Sequence, residues 1–488
     1  MTPEEALAEA PLGLWVGGGW RGARRGRTFP VRDPASGETL ACVADACAED
    51  AVAALDAACA AGPASAARAP RDRAEVLRHA FEVMTADRDR LATLLTLEMG
   101  KPLAESRDEV DYAAEYLRWF SEEAVRIEGG YAPSPDGRTR ALIMRAPAGP
   151  ALVIAPWNFP LVSATREIGP ALAAGCPLVL KPAAETPLST LAMTAAFARA
   201  GVPDGVVNVV PTTASADITG ALIDDGRLRV LSFTGSTAVG RELIARSADK
   251  ALRLSMELGG NAPFIVFEDA DVDGALDGAL LAKIRNLGES CTAANRFLVA
   301  APLAEEFSAR LAERMARLSV GVGTHEGVQV GPLIDEDQLA GVEELVEDAL
   351  ERGATALTGG HRLKGPGHFY RPTLLAHVPE DARIQREEIF GPVAPVSAFH
   401  DEDEAVARAN ATEYGLAAYV YTRDLGRALR VAERLQVGMV GLNRGSVSNV
   451  AAPFGGVKRS GFGRKGGHEG IEEYLETKYV AMPAPEAT

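Results

Sequence analysis

The run Ala151-Leu-Val-Ile154 opens a series of short β-rich segments, followed by Pro177-Leu-Val-Leu180, Val206-Val-Asn-Val-Val210 and Val230-Leu-Ser-Phe233, with a helical stretch between each and the next. Strands alternating with helices at this spacing predict an open parallel α/β sheet. Such sheets bind ligands beyond the carboxyl ends of their strands. The segments leaving those ends are therefore candidates: Pro156-Trp-Asn-Phe-Pro160, Lys181-Pro-Ala-Ala-Glu-Thr-Pro187 and Thr234-Gly-Ser-Thr-Ala-Val-Gly240.

In the third segment, Gly235 allows close backbone approach, and Ser236 with a helix N-terminus suits a pyrophosphate. The same Gly-Ser turn also suits a plain helix cap, and no GxGxxG run is present here. Lys181 puts a cation beside a strand end, or is a surface lysine. Downstream lie Met256-Glu-Leu-Gly-Gly-Asn261 and Asn286-Leu-Gly-Glu-Ser-Cys291. A thiol acts as thiolate, and a carboxylate that passes protons lets one site form and then hydrolyse an acyl intermediate. Cys291 and Glu257 are thus a candidate nucleophile and base, against the alternative of a small buried cysteine.

The composition narrows the function classes. Five cysteines, Cys42, Cys47, Cys59, Cys176 and Cys291, are scattered over 488 residues without paired spacing. This pattern predicts a reducing compartment, the cytoplasm, with no disulfide framework and no metal site. A net charge of −17 opposes nucleic acid or an anionic membrane as a partner. The N-terminus has no signal pattern, and prolines 156, 160, 170 and 177 interrupt the longest apolar runs, so no membrane span is expected. With 47% hydrophobic residues the chain can bury large cores in two or three domains.

Residues 48 to 126 carry helical periodicity, and their aromatic residues fit core faces. From Gly129 to Gly149 the pattern changes to an alternating stretch, Thr139-Arg-Ala-Leu-Ile-Met-Arg145, suited to a projecting hairpin that needs a strand partner.

Taken together, Pro156-Trp-Asn-Phe-Pro160, Phe233-Thr-Gly-Ser-Thr237, Glu257-Leu-Gly-Gly260, the Cys291 loop, Glu387-Glu-Ile-Phe-Gly-Pro392 and Pro453-Phe-Gly-Gly-Val-Lys-Arg-Ser-Gly461 resemble the aldehyde dehydrogenase superfamily over nearly the full chain. The resemblance implies an NAD(P)-binding domain over 1–128 and 150–257 and a catalytic domain over 258–445. It implies an oligomerisation arm over 129–149 and 470–488, with 446–469 returning to the cofactor domain, and a homodimer or homotetramer. It assigns Cys291 as nucleophile, Glu257 as general base, and Asn158 with the Cys291 N–H as oxyanion donors. Pro156, Trp157, Lys181, Ala184, Gly235, Ser236, Leu258, Glu388 and Phe390 fall at cofactor positions.

Where members selective for NAD often carry a carboxylate, three residues after the lysine, this chain has Ala184, so NADP is the expected cofactor, with NAD also admissible. Thr165-Arg166, Lys283-Ile-Arg285-Asn286 and Gly445-Ser-Val-Ser448-Asn449 resemble succinate-semialdehyde dehydrogenases, in which the matching Arg166, Arg285 and Ser448 grip the substrate's distal carboxylate. Arginine suits that task through its bidentate fork. The alternatives are another aldehyde, with the arginines in structural ion pairs, or a non-catalytic cofactor-binding protein. Two departures stand out. Glu289 replaces a common Gln and is expected to point into solvent or an ion pair, and Ala293 stands where some relatives hold a second, disulfide-forming cysteine.

Overall fold

The computed structural model describes residues 2–485; Met1 and residues 486–488, the last of the expected 470–488 arm, lie outside them. Four helices, Ala48–Ala67, Pro70–Ala86, Arg88–Met99 and Leu103–Glu123, fill the region of helical periodicity. The last buries Val110, Ala113, Tyr116, Leu117 and Phe120 on one stripe and packs against the buried helix Pro160–Ala174.

The expected parallel sheet is present. Five parallel strands lie in the spatial order Val207–Val209, Leu178–Lys181, Ala151–Ile154, Val230–Thr234 and Arg253–Glu257. Their near-continuous apolar character follows from burial on both faces. Leu14–Val16 and Gly19–Arg21 extend one edge, and the short strand Gly461–Phe462 covers the other, antiparallel to Met256 and Glu257. From Ala151–Ile154 the chain winds outward in one direction, then returns to start Val230–Thr234 on the opposite side. That reversal opens a crevice between Ile154 and Thr234, where doubly wound sheets hold ligands.

A second sheet has seven strands, ordered Thr355–Thr358, Thr373–Ala376, Val393–Phe399, Ala294–Ala300, Ala262–Val266, Ala417–Tyr421 and Met439–Leu442. All neighbours are parallel except the first pair. Only Leu258-Gly-Gly-Asn261 separates the last parallel strand of the first sheet from Ala262–Val266 of the second. Glu257 therefore ends one sheet and faces the loop that enters Ala294–Ala300 of the other.

The 129–149 hairpin finds its strand partner at the other end of the chain. Gly130–Pro133, Thr139–Pro147 and Leu475–Pro483 form a separate antiparallel sheet, with Tyr479 opposite Ile143 and Glu476 opposite Ala146. Tyr131, Met144 and Tyr479 are exposed on it. Among the described residues no helix is long and apolar enough to cross a membrane, and no cluster of His, Cys, Asp and Glu could hold a metal ion.

Candidate active site

A cavity of about 440 Å³ opens where the two sheets meet. Pro156, Trp157 and Asn158 enter it from the end of Ala151–Ile154, Thr234, Gly235 and Ser236 from Val230–Thr234, and Glu257 and Leu258 from Arg253–Glu257. The facing wall brings Arg285, Cys291, Glu388, Phe390 and Ser448, and Arg166 comes from the buried helix behind. Of the residues given a catalytic, cofactor or substrate role from the sequence, Lys181 and Ala184 alone are not in its wall. Lys181 sits one strand over, opposite Ile154, buried, with Nζ donating to Ser215 Oγ at 3.1 Å. Burial pushes the lysine down to about 8.

The Cys291 thiol donates to Glu257 Oε1 at 3.1 Å. Burial first, then the Glu257 carboxylate, pushes the thiol well above its ordinary value, so it is neutral and needs a base to become nucleophilic. Glu257, itself 1% exposed, accepts from Arg166 Nη2 at 2.6 Å through its other oxygen. Arg166 is thus tied to the candidate base, while its Nε is buried without a partner. Arg285 donates to Ser448 Oγ at 3.3 Å, stacks over Phe159 and pairs with no carboxylate among the described residues.

The Cys291 loop is held in an unusual path. Asn286 and Leu287 have φ of 55° and 63°, and Gly288 follows at 79°. Left-handed non-glycine residues cost about 1 to 3 kcal/mol each and persist where their surroundings over-determine them. Here the Asn286 N–H donates to Glu105 Oε2 at 2.6 Å, and its amide donates to the Asn158 and Glu289 carbonyls. Gly288 is required twice over, since a Cβ would also lie 2.2 Å from the Gly391 carbonyl oxygen. At Gly260 a Cβ would come equally close, 2.2 Å, to the Cys291 carbonyl oxygen. The absence of a side chain there lets the Glu257 and Cys291 segments meet.

Asn158 is buried, its Nδ2 2.9 Å from the Glu289 carbonyl. The Cys291 N–H has no hydrogen-bond partner among the described residues, which leaves a donor beside the sulfur. Glu289 departs from expectation. Its side chain reaches neither solvent nor an ion pair; it is fully buried and accepts the Ile334 N–H at 3.1 Å. The left-handed turn before it directs the side chain away from the cavity. Burial raises its carboxyl well above the usual range, which favours the form that adds no charge near Cys291.

Several contributors are not singled out by sequence motifs. Lys101 is fully buried, pairs with Glu109 and donates to the Asn158 carbonyl at 2.8 Å. Glu109 in turn accepts the N–H groups of Leu161 and Val162, fixing the start of the helix that carries Arg166. Tyr112, on a helix whose aromatics fit the core by pattern, lines the cavity, as does Phe454, whose ring lies 4.2 Å from the Arg166 guanidinium carbon. Lys101, Glu109 and Tyr112 carry no local signal because only the tertiary fold gathers them, whereas Phe454 lies in the run Pro453–Gly461, though the resemblance gives it no role.

The groove from Ser236 to Phe390 fits a dinucleotide. Ser236 caps the helix Thr237–Ser247, whose first turn holds no acidic residue, leaving its positive end open to a phosphate. Glu388 accepts the Gly260 N–H at 2.9 Å, and burial pushes its carboxyl up to about 7. Trp157 and Phe390 meet edge-on at 5.4 Å between centroids, forming an aromatic wall beside Glu388 and Cys291.

This fold and site define a class, and comparison with known proteins agrees. The aldehyde dehydrogenase family model matches residues 20–480, and the chain belongs to that family. A succinate-semialdehyde dehydrogenase of Paenarthrobacter nicotinovorans is 56% identical over 446 residues, 91% of this chain and 99% of the relative. The Escherichia coli (strain K12) succinate-semialdehyde dehydrogenase [NADP(+)] GabD is 48% identical over 96% of this chain and 97% of its own. The crystal structure of succinate-semialdehyde dehydrogenase from Burkholderia pseudomallei superposes with a TM-score of 0.96 at 47% identity, covering 97% of this chain and 98% of that one.

Proposed function

We propose that this protein oxidises succinate semialdehyde to succinate, with NADP as preferred cofactor and NAD as a second. The observation that carries the reading is the Cys291–Glu257 pair in one cavity with Arg285 and Ser448. A nucleophile and its base define the chemistry; a guanidinium with no carboxylate partner, beside a hydroxyl, suits an anionic tail.

Glu257 takes the thiol proton, and the Cys291 sulfur adds to the aldehyde carbon. The resulting oxyanion lies within reach of the Cys291 N–H and the Asn158 amide, donors worth about 3 kcal/mol each when placed where charge develops. Glu388, Phe390 and Trp157 would hold the nicotinamide, which when bound would accept the hydride that the tetrahedral adduct gives up as it becomes the thioester. Once Glu257 has passed the thiol proton to solvent, it draws a proton from water, which attacks the thioester on Cys291 and releases the acid, with the Cys291 thiolate as leaving group. Ala184 and the Lys181–Ser215 pair support NADP, because a 2′-phosphate meets a cation and a hydroxyl there and no carboxylate at position 184.

The exposed apolar residues of the hairpin and C-terminal strand support their role as an oligomerisation arm in a homodimer or homotetramer. The two sheets support a domain division at 1–128 with 150–257, 258–445 and 446–469, and sparse free cysteines support a cytoplasmic setting. The test is kcat/KM for succinate semialdehyde, glutarate semialdehyde and butanal with each cofactor. The reading expects succinate semialdehyde to lead butanal by at least tenfold, about 1.4 kcal/mol. A butanal preference sinks it.

A further inference from the structure

Arg166 is placed to do more than hold a substrate. Its guanidinium lies over the Phe454 ring, one terminal nitrogen tied to Glu257 at 2.6 Å and Nε buried with no partner. Both partners of the Arg166–Glu257 pair are almost fully buried. Arg285 adds a second guanidinium to the same cavity without a carboxylate of its own. This end of the cavity therefore holds two fixed positive charges against one negative charge, and a buried donor awaits an acceptor. An unsatisfied buried donor is costly, and charges so poorly screened respond strongly to a new neighbour.

We propose that the substrate's own carboxylate releases the catalytic base: on binding Arg166 Nε, Arg285 and Ser448, it shares the Arg166 guanidinium and loosens that group's hold on Glu257. This rests on the proposed function and extends it to the hydrolytic half-reaction. With Arg166 held by the substrate, Glu257 Oε2 keeps only the long hydrogen bond from Thr234 Oγ1 at 3.4 Å and can accept a proton from water. An uncharged aldehyde still reaches Cys291 and forms the thioester, but leaves Glu257 pinned to Arg166. The arginine thus works as a positioning residue for the base, and selectivity arises in hydrolysis as well as in binding.

The experiment follows decay of the acyl-thioester on Cys291 by rapid-quench mass spectrometry in single turnovers of the full-length enzyme with NADP. In wild type the succinyl thioester is expected to decay several-fold faster than the propionyl thioester formed from propanal. Adding formate, which with propanal completes the heavy atoms of the natural substrate, is expected to speed propionyl decay in a saturable way. In Arg166→Gln the succinyl advantage and the formate effect are both expected to disappear. Equal decay of the two thioesters in wild type overturns the proposal, and so does a succinyl advantage that survives Arg166→Gln. The wild-type comparison stands even if the variant does not fold. Failure of the underlying reading looks different: succinate semialdehyde then shows no advantage over butanal in kcat/KM.

Discussion

Glu257 accepts hydrogen bonds from two sides, Cys291 Sγ at 3.1 Å on Oε1 and Arg166 Nη2 at 2.6 Å on Oε2. The arrangement follows from topology. Glu257 closes the last parallel strand of one sheet, Cys291 precedes a central strand of the other, and Gly260 removes the side chain that would keep them apart.

A neutral thiol makes a slow nucleophile toward reagents that do not engage Glu257. Because burial and Glu257 raise Cys291 well above the ordinary thiol value of about 8.5, inactivation of the free enzyme by iodoacetamide should keep accelerating as pH passes that value. A plateau below it contradicts the neutral-thiol state. With Ala293 two residues on, peroxide should modify Cys291 without an intramolecular disulfide, as peptide mass spectrometry will show.

Lys181 should make cofactor choice depend on pH. Burial lowers it to about 8, so above that pH the cation that meets a 2′-phosphate is lost. KM for NADP should rise as pH passes about 8 while KM for NAD changes little, and Lys181→Met should abolish the difference. Ala184→Glu should lower kcat/KM for NADP by about tenfold or more, the cost of like charges held close.

Glu289 costs stability at neutral pH. Its folded pKa lies well above the unfolded value, so the folded state keeps a proton that the unfolded chain releases above about pH 4. The penalty is absent below that pH and grows as pH rises through the window between the two values. Glu289→Gln keeps an oxygen for the Ile334 N–H and removes the titration. It should stabilise the protein by about 1 kcal/mol or more near pH 7, with little gain near pH 4, measured by denaturant unfolding.

Glu105 supports the nucleophile loop through the Asn286 N–H. Glu105→Ala leaves that donor unpaired under a left-handed backbone. The expected loss is about 1 to 3 kcal/mol in stability, with kcat reduced more than KM because the Cys291 N–H and sulfur lose registration. Unchanged kcat would show that the loop holds its shape without this bond.

The parallel sheet was legible because Ala151–Ile154, Leu178–Lys181 and Val230–Thr234 are short apolar runs set between helices. Arg253–Glu257 was less so: its Arg-Leu-Ser-Met-Glu pattern is mixed, and it becomes a strand through pairing with Val230–Thr234 and Gly461–Phe462. Cys291 and Glu257 stood out by residue type and spacing. The side chains that hold them did not, since Glu105 and Glu109, on the helix Leu103–Glu123, and Lys101, in the turn before it, are remote in sequence and look like ordinary surface charges until the fold buries them. The direction of Glu289 was hidden by the positive φ angles of Asn286, Leu287 and Gly288, which reverse the side-chain alternation that a pattern assumes.

The central claim is that Cys291 carries the acyl group and Glu257 clears it. Intact and peptide mass spectrometry of Glu257→Gln, incubated with succinate semialdehyde and NADP, tests this directly. One succinyl group per chain should accumulate on Cys291, more slowly than in wild type because Glu257 also takes the thiol proton, with NADPH formed in step with that acylation and then near-complete arrest. Steady turnover at the wild-type rate, or a succinyl group on any other residue, would contradict the account.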